Sequence, residues 1–327
     1  MKIKEMSILS KLFPKKSNAP QGISLEIKSA FSGFGGSAYQ NAAFRAAVDA
    51  ISRHCAKLKA HAGLVDPNAR KYTGEVTNKN VQNPQEIERL LQTAPNPHVS
   101  AFDLLYKTAT AFFARNNSFI LIQRGAGGIE AFYNLAPSSV EFIGNLGGEL
   151  YSYMTLTWGR QVTLPYSDLI HLRRHFNNSE LLGSDNAPLY PLLETSETLT
   201  QAAAKAAQNA VNIRGILKFS SLVNPQQVKL ENEQFVKDYM NLSNSGGVAA
   251  TDQRFDFVPT NSTPYSVPAE QMNAVNSQIY SYLGISPEIV DGTFSEDEFQ
   301  SFYESVVEPF ALQLSLEFSR KCGIDIN

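Results

Sequence analysis

The sequence has few cysteines and no long apolar run. Its 327 residues include two cysteines, Cys55 and Cys322, each in a segment with helical spacing, so no disulfide framework or CxxC metal pair can be drawn. We expect both to be buried free thiols, which fits synthesis in a reducing, intracellular environment. No apolar run approaches the ~18 residues needed to span a bilayer, and no membrane contact is expected.

An excess of charge of either sign is also missing. The chain has 28 Lys and Arg against 31 Asp and Glu, for a formal net charge of -3. This balance argues against a protein that holds DNA tightly through a broad basic face, and it leaves room for loose contact. With 43% hydrophobic and 18% charged residues the chain is an ordinary globular protein, and its length predicts two or three subdomains.

Metal-binding motifs are missing as well. The histidines are His54, His61, His98, His171 and His175. No HExxH and no Cys/His cluster surrounds them. His171 and His175 would suggest zinc on a helix, but 168–172 has the pattern of a strand, which would put the two histidines on one side without a carboxylate partner. We therefore expect an ordinary polar surface there, with no metal.

Catalytic motifs are equally absent. The sequence lacks GxxxxGK[ST] and GxSxG, and the glycine clusters at Gly125 and Gly144 lie between predicted strands, where they indicate hairpin turns. The acidic residues Asp291, Glu296, Asp297 and Glu298 are interpreted as helix capping and solvated charge. We predict no catalytic residue, no cofactor and no enzyme.

The first 38 residues are predicted to be a flexible N-terminal arm. Residues 1–16 place apolar residues at helical spacing beside five lysines, without the apolar core and cleavage site of a signal peptide. An interfacial membrane helix and an arm that docks on a neighbouring subunit both remain open, and the arm is favoured. Residues 18–36 are rich in Ser, Gly, Ala and Pro and predict a linker without secondary structure.

The folded body begins near Tyr39 with helices and continues with strands. Helix caps are predicted at Asn83 and at Ser100 with Asp103. The first helix is expected to bury one face, formed by Phe44, Ala47, Val48, Ile51, Cys55 and Leu58. The helix after Ser100 is expected to bury Phe102, Leu105, Ala109, Phe112 and Phe113. Short β-rich runs over 119–164 predict an antiparallel meander backed by these helices.

The second half is predicted to place a small insert between two helices. The helices are 188–212, rich in alanine, and 269–283. The insert between them has a β-α-β pattern. Gly284 then breaks the second helix before a polar turn. A long aromatic helix capped by Ser295 follows and runs to Lys321, with a kink predicted at Pro309.

Several segments taken in order resemble an HK97-type portal protein of tailed bacteriophages. They are Leu90 to Pro97, Asn117 to Arg124, Tyr133 to Val140, Asp168 to Arg173, and Ile279 to Glu308 with its Tyr282-Leu-Gly-Ile-Ser-Pro287. The resemblance covers about Tyr39 to Cys322. Two departures stand out. Asn116-Asn117 replaces the common Gly-Asn, and asparagine still tolerates a left-handed turn there. The family's C-terminal crown is short or missing, in a truncated chain or a small natural version.

The resemblance implies an α+β fold organised as a portal subunit. Residues 39–187 and 286–327 would form the wing, with mixed helix and antiparallel sheet and a long kinked C-terminal helix. Residues 188–212 and 269–285 would form a helical-hairpin stem, and 213–268 a small β-α-β clip. The implied tunnel loop is Asp291, Gly292, Thr293, Phe294 and Ser295. Phosphate-facing candidates are Lys205, Arg214, Lys218 and Lys229, for which an exposed or salt-bridged role is equally open.

The same resemblance implies function and partners. The chain would be one of about twelve copies in a homo-oligomeric ring at one capsid vertex. The ring would be a passive channel through which double-stranded DNA is packaged and ejected, with weak, sequence-independent contact. It would dock the terminase large subunit, capsid, scaffold and head-completion proteins. The protein would be made in the host bacterial cytoplasm, from a phage or a prophage genome. The alternative is a structural or adaptor protein that oligomerises without a DNA channel.

Overall fold

The computed structural model describes residues 27–30, 38–63, 83–144, 149–156, 159–177, 179–211, 215–219, 224–239, 255–259 and 268–327. These residues fall into two compact units. The first contains the described residues up to Leu193 together with Asn276–Asn327, and the second contains those of Glu194–Val275. No helix among the described ranges has the length and apolar character needed to cross a membrane.

The α-helices of the described residues are α1 Ala42–Cys55, α2 Pro84–Gln92, α3 Ala101–Arg115, α4 Tyr190–Val211, α5 Pro225–Tyr239, α6 Ala269–Leu283, α7 Pro287–Asp291, α8 Glu296–Phe302 and α9 Glu308–Cys322. Short 3-10 turns lie at Ala38–Gln40, Tyr166–Asp168 and Ala187–Leu189, and a π-helical turn at Tyr303–Val307 joins α8 to α9. The predicted helix 188–212 therefore begins as a 3-10 turn and becomes α-helical at Tyr190.

The strands are β1 Ile27–Ala30, β2 Ala62–Gly63, β3 Asn117–Gly125, β4 Gly128–Leu135, β5 Pro137–Gly144, β6 Leu150–Leu156, β7 Gln161–Pro165, β8 Leu169–Arg173, β9 Gly215–Phe219, β10 Phe255–Pro259 and β11 Asp325–Ile326. They form sheets with the orders β1-β5-β6-β7, β4-β3-β8, β10-β9 and β11-β2, and every pairing is antiparallel. The predicted α+β class is confirmed.

The first helices form where their caps and stripes predict. Asn41 caps α1, and the side chain of Asn83 accepts a hydrogen bond from the Gln85 amide at the start of α2. Ser100 and Asp103 form a reciprocal capping box at α3. The predicted buried stripe of α1 is confirmed from Phe44 to Cys55, whereas Leu58 lies beyond the helix and is partly exposed.

One predicted core residue of α3 was assigned to the wrong face. Phe102 is 47% exposed, and its ring stacks on that of Tyr106 at the surface. Leu104 and Thr108 are buried instead. Thr108 is accommodated on the buried side because its hydroxyl donates a hydrogen bond to the Leu104 carbonyl oxygen, and the other predicted residues of the stripe are buried as expected.

The strands of the first unit form two sheets, not the single meander that was predicted. β3 and β4 make a hairpin at Gly125 and Gly128, as expected, but β3 takes β8 as its other neighbour. The remaining strands β5, β6 and β7 form a separate meander with β1 on its edge. The strand β1 also contradicts the prediction of a linker without secondary structure at 27–30. Its sequence is weak in strand formers, and the pairing comes from the open edge of β5.

The last helix is irregular before Pro309 and not at it. A π-helical turn spans Tyr303–Val307, and Pro309 sits in the first turn of α9, where a missing N–H is tolerated. The residues buried along this helix are Phe302, Val306, Val307, Phe310, Leu314, Phe318 and Cys322. After Gly323, β11 pairs with β2, and Asn327 and His61 exchange two backbone hydrogen bonds of 2.8 and 2.9 Å.

The second unit contains the predicted β-α-β pattern. β9 precedes α5 and pairs with β10, which follows it. Asn224 begins α5, and its side-chain oxygen accepts a hydrogen bond from the Gln226 amide. The predicted strand start at Ile213 and the glycine turn at Gly246-Gly247 lie outside the described residues.

Candidate tunnel loop, cations and supporting clusters

The segment predicted as a tunnel loop is shorter than expected. Gly284 ends α6 with φ of 81°, and Pro287–Asp291 is a helical turn, not an open polar turn. Proline at the first helical position and Ser286 before it favour that turn. Gly292 then takes φ of 75°, which ends α7, so Asp291 is helical and only Gly292 to Ser295 connect α7 to α8.

Ser295 is fixed by a second capping box. Its hydroxyl accepts from the Glu298 amide at 3.4 Å, and its own amide donates to the Glu298 carboxylate at 2.7 Å. The hydrogen bonds that the Ser295 amide and hydroxyl donate to the Glu298 carboxylate lower the pKa of Glu298. The interpretation of Glu298 as a capping acid is confirmed.

Phe294 differs from its neighbours in the connector. Asp291, Gly292, Thr293 and Ser295 are exposed, but Phe294 is partly buried. Its ring stacks on Phe299, with centroids 5.3 Å apart, and lies edge-on to His54 of α1 at 6.3 Å. The aromatic side chain therefore anchors the connector to the body of the first unit.

His54 is a residue of this site that the sequence interpretation missed. Its imidazole contacts Phe299 at 5.3 Å and Phe302 at 5.4 Å as well as Phe294. Burial lowers the pKa of His54, and the nearby cations Lys57 and Arg53 lower it further. The contact joins residues more than 200 positions apart, so helical spacing in α1 alone could not indicate it.

Three of the four candidate cations lie among the described residues of the second unit. Lys205 on α4, Lys218 on β9 and Lys229 on α5 are exposed. Arg214 lies outside the described residues. In the register of the two-stranded sheet, Lys218 is opposite Asp256.

A polar cluster ties the end of α6 to the sheet of the first unit. Asn116 ends α3 in the left-handed conformation with φ of 56°, as predicted, and its amide donates to Asn186 Oδ1. Tyr282 of α6 donates its hydroxyl to the same oxygen at 2.9 Å. The Arg174 guanidinium donates to the Tyr282 carbonyl oxygen at 2.9 Å and lies over the rings of Phe113 and Tyr282.

His171 is not part of a polar surface, which corrects the sequence interpretation. It is fully buried on β8, and its ring stacks on Phe119 with centroids 4.3 Å apart. Nε2 lies 3.1 Å from Asn117 Oδ1, which can only accept, so Nε2 carries the proton. Nδ1 then accepts from the Tyr166 hydroxyl at 3.1 Å. Residues of the neighbouring strand bury this position. The alternation of polar and apolar residues along a five-residue strand does not predict that burial.

The environment of His171 keeps it neutral. Burial lowers its pKa well below 6.5, and the cations Arg173, Lys321 and Arg320 lower it further. His175 lies beyond the strand with φ of 51° and is exposed, so the two imidazoles do not converge. No group of three metal-ligating side chains was found within the described part of the chain.

A cavity of about 460 Å³ opens on the side of α3 away from its aromatic core. The helix contributes Tyr106, Lys107, Thr110, Ala111, Ala114 and Arg115 to its wall. Tyr39, Asp185 and Tyr190 lie on other parts of the wall. Lys107, Arg115 and Asp185 are exposed, so the cavity has a charged mouth open to solvent.

Similarity to known proteins extends over most of the chain. A model of the family described as phage portal protein matches residues 42–326. No curated protein matches the chain. A chain in the virion of a native gene transfer agent particle is 14% identical, with a TM-score of 0.64 over 88% of this chain and 80% of that one.

Two further solved structures share the fold. A chain in the neck of a native gene transfer agent particle, computed with C12 symmetry, is 15% identical with a TM-score of 0.58, over 87% of this chain and 79% of that one. An HK97 family phage portal protein from Corynebacterium diphtheriae is 11% identical with a TM-score of 0.54, over 88% of this chain and 92% of that one. At these identities the likeness concerns the fold. The family match extends over most of the sequence, and the chain belongs to the phage portal protein family.

Proposed function

We propose that this chain is the subunit of a homo-oligomeric ring, of about twelve copies, at one vertex of a capsid. The ring is a structural, non-catalytic channel through which double-stranded DNA passes during packaging and ejection. The observation that carries the proposal is the family match over residues 42–326. The fold shared with a chain of a particle neck computed with C12 symmetry supports a ring of this kind.

We assign the parts of the ring from the order of the segments. Residues 39–187 and 286–327 form the wing, 188–212 and 269–285 the stem, and 213–268 the clip. The separation of Glu194–Val275 as a compact unit with its own two-stranded sheet supports an independent clip. The clip docks the terminase large subunit and head-completion proteins, whereas the wing contacts capsid and scaffold proteins.

DNA contact is weak and falls on exposed residues. A small polar surface is formed by the exposed residues Asp291, Gly292, Thr293 and Ser295. The ring of Phe294, which packs on Phe299, anchors this segment. Lys205, Arg214, Lys218 and Lys229 supply the cations that face phosphate. A channel must release the DNA that passes through it. A chain with a net charge of -3 lacks the broad basic face that would bind DNA strongly.

Electron microscopy of the purified protein tests the ring. We expect particles far larger than the 36.0 kDa monomer, with an axial hole under negative stain. Closed assemblies without a hole would favour an adaptor that oligomerises by helix contacts. A monomer at all concentrations would contradict the proposal.

Charge reversal tests the channel once rings are shown. Lys205→Glu and Lys229→Glu should leave ring formation intact and reduce the DNA content of filled heads. Lys59→Glu is the matched control, because Lys59 is an exposed lysine of the first unit. Equal DNA content in the three variants would remove these lysines from the channel while leaving the ring in place.

A further inference from the structure

The outer face of α9 carries an apolar ridge that the described residues of this chain do not cover. Leu312 is 57% exposed and Leu316 is 54% exposed, and Pro309 one turn earlier is also exposed. Glu304 and Glu308 are exposed at the N-terminal end of the same face, and Arg320 at the other end pairs with Glu317 at 2.8 Å. Large apolar side chains grouped in this way, with charges around them, are typical of an interaction site.

The cavity beside α3 offers a matching surface. Its wall includes Ala111 and Ala114 and the rings of Tyr39 and Tyr106 beside buried polar residues such as Asn117 and Asn186, so apolar side chains form part of the lining. Its mouth carries Lys107 and Arg115 against Asp185, for an excess of one positive charge. The ridge has an excess of negative charge at its Glu304–Glu308 end, so the two surfaces are complementary in charge.

The two surfaces face in opposite directions. α3 and α9 contact each other through Phe112 and Phe310, whose ring centroids are 5.3 Å apart. Successive residues of an α-helix are rotated by about 100°. Thr110 and Ala114, two residues on either side of Phe112, therefore point about 160° away from that contact. Leu312, two residues after Phe310, points about 160° away from the same contact on the other helix.

We propose that these two surfaces form the interface between neighbouring copies of this chain. The Leu312–Leu316 ridge of one copy enters the α3 cavity of the next, and Glu308 approaches Lys107 or Arg115. Two different surfaces on opposite sides of one subunit make a head-to-tail contact, which closes into a ring when the rotation between copies allows it. The inference rests on the proposed ring and adds the residues that hold it.

Crosslinking between engineered cysteines tests the contact directly. Ala111→Cys places a thiol in the cavity and Leu316→Cys places one on the ridge. The native Cys55 and Cys322 are buried, and burial raises the pKa of each thiol to about 12, so neither competes for a short bismaleimide at neutral pH. The chain carrying both substitutions should give a ladder of dimers, trimers and larger species on a denaturing gel.

The single variants and a second pair are the controls. Each single variant alone should stay monomeric on the gel, because a head-to-tail contact never brings two copies of one position together. Ala111→Cys with Lys59→Cys should also give no ladder, since Lys59 is exposed in the first unit but belongs to neither surface. Crosslinked dimers from Leu316→Cys alone would overturn the proposal, because they would indicate a two-fold contact.

Measuring ring formation distinguishes a wrong interface assignment from a wrong proposed function. Leu312→Asp with Leu316→Asp should abolish rings in negative stain, whereas Leu230→Asp should retain them. Far-ultraviolet circular dichroism and the thermal midpoint check that the variants fold. Rings that persist in the double variant, or rings without a ladder in the cysteine pair, overturn the interface and leave the proposed function standing. An unaltered chain that forms no rings refutes the proposed function, and the interface with it.

Discussion

The side-chain amide of Gln313 binds both backbone groups of Arg173. Gln313 Oε1 accepts from the Arg173 amide at 2.9 Å, and Gln313 Nε2 donates to the Arg173 carbonyl oxygen at 3.0 Å. β8 is the edge strand of its sheet, so these groups would otherwise have no strand to pair with. One glutamine of α9 therefore covers the open edge and fixes the helix against the sheet.

Replacing this glutamine should weaken the first unit. Gln313→Glu removes the donor and places a carboxylate oxygen beside the Arg173 carbonyl oxygen, so we expect a loss of about 1–2 kcal/mol in the free energy of unfolding. Urea denaturation measures the loss. Gln271→Glu, at an exposed position of α6, is the control. A change no larger than that of the control would show that the edge hydrogen bonds add nothing to stability.

Acid should destabilise the protein through His171. Because burial lowers the pKa of this imidazole well below 6.5, the unfolded state binds the proton more readily than the folded state. The stability that depends on neutral His171 is complete above pH 6.5 and is lost as the pH falls below that value. His171→Gln should have a lower thermal midpoint at pH 7.5 and a smaller further loss between pH 6.5 and 5.

Part of the acid effect should survive in that variant. The pKa values of His54 and His175 are also lowered by burial, so they contribute in the same direction. A His171→Gln protein whose midpoint falls with acid as steeply as that of the unaltered protein would show that His171 does not govern the transition.

Alkali should have the opposite effect through Lys321. Its Nζ donates to the Tyr166 carbonyl oxygen and lies over the Tyr166 ring, and burial lowers its pKa from 10.5 to about 8. Between these values the unfolded state binds the proton of Lys321 more readily, so the contribution of Lys321 to stability rises as the pH increases from 8 toward 10, whereas the raised pKa values of the buried thiols Cys55 and Cys322 act in the opposite direction. Lys321→Met removes this titration. The thermal midpoint of the unaltered chain should therefore gain more between pH 7.5 and 9.5 than that of the variant, and equal gains would contradict the assignment.

Two adjacent residues of the α7–α8 connector should respond differently to alanine. Phe294→Ala removes the ring packed between His54 and Phe299, and we expect a loss of about 1–2 kcal/mol in unfolding free energy. Thr293→Ala alters an exposed side chain and should change it by less than about 0.5 kcal/mol. Chemical denaturation of both variants measures the difference. Equal effects would mean that Phe294 does not anchor the connector.

This difference decides how the tunnel loop should be tested. Replacing residues 293–295 together by a glycine turn would remove the Phe294 anchor and the Ser295 cap, so impaired packaging could follow from a damaged fold. Substitutions confined to Asp291 and Thr293 leave both supports intact. Such variants test DNA contact alone.

Local signals in the sequence predicted much of the fold. Asn83, Ser100 and Ser295 begin helices because each side chain can satisfy amides of the first turn, a relationship that spans three residues or fewer. Asn116 takes the left-handed conformation for an equally local reason. The β-α-β insert followed from its strand and cap patterns in the same way.

Contacts distant in sequence were not predictable. His171 is buried because Phe119 and Asn117 of β3 cover it, and Gln313 reaches a strand 140 residues earlier. The local pattern predicts an open loop at Phe294, because its partner His54 lies on another helix. The strand β1 forms through an available edge and not through its own propensity. Each error arose where tertiary contacts outweighed local pattern.

The π-helical turn has a consequence for the long C-terminal helix. Phe302, Val306, Phe310, Leu314 and Phe318 are all buried and follow one another every four residues. In a regular α-helix each such step drifts by about 40° around the axis, so the stripe would wind steadily away from the sheet. The π-helical turn at Tyr303–Val307 has more residues per turn, so it rotates less per residue and offsets part of that drift. Deleting one residue there would restore regular winding and swing the aromatic side chains on either side out of alignment.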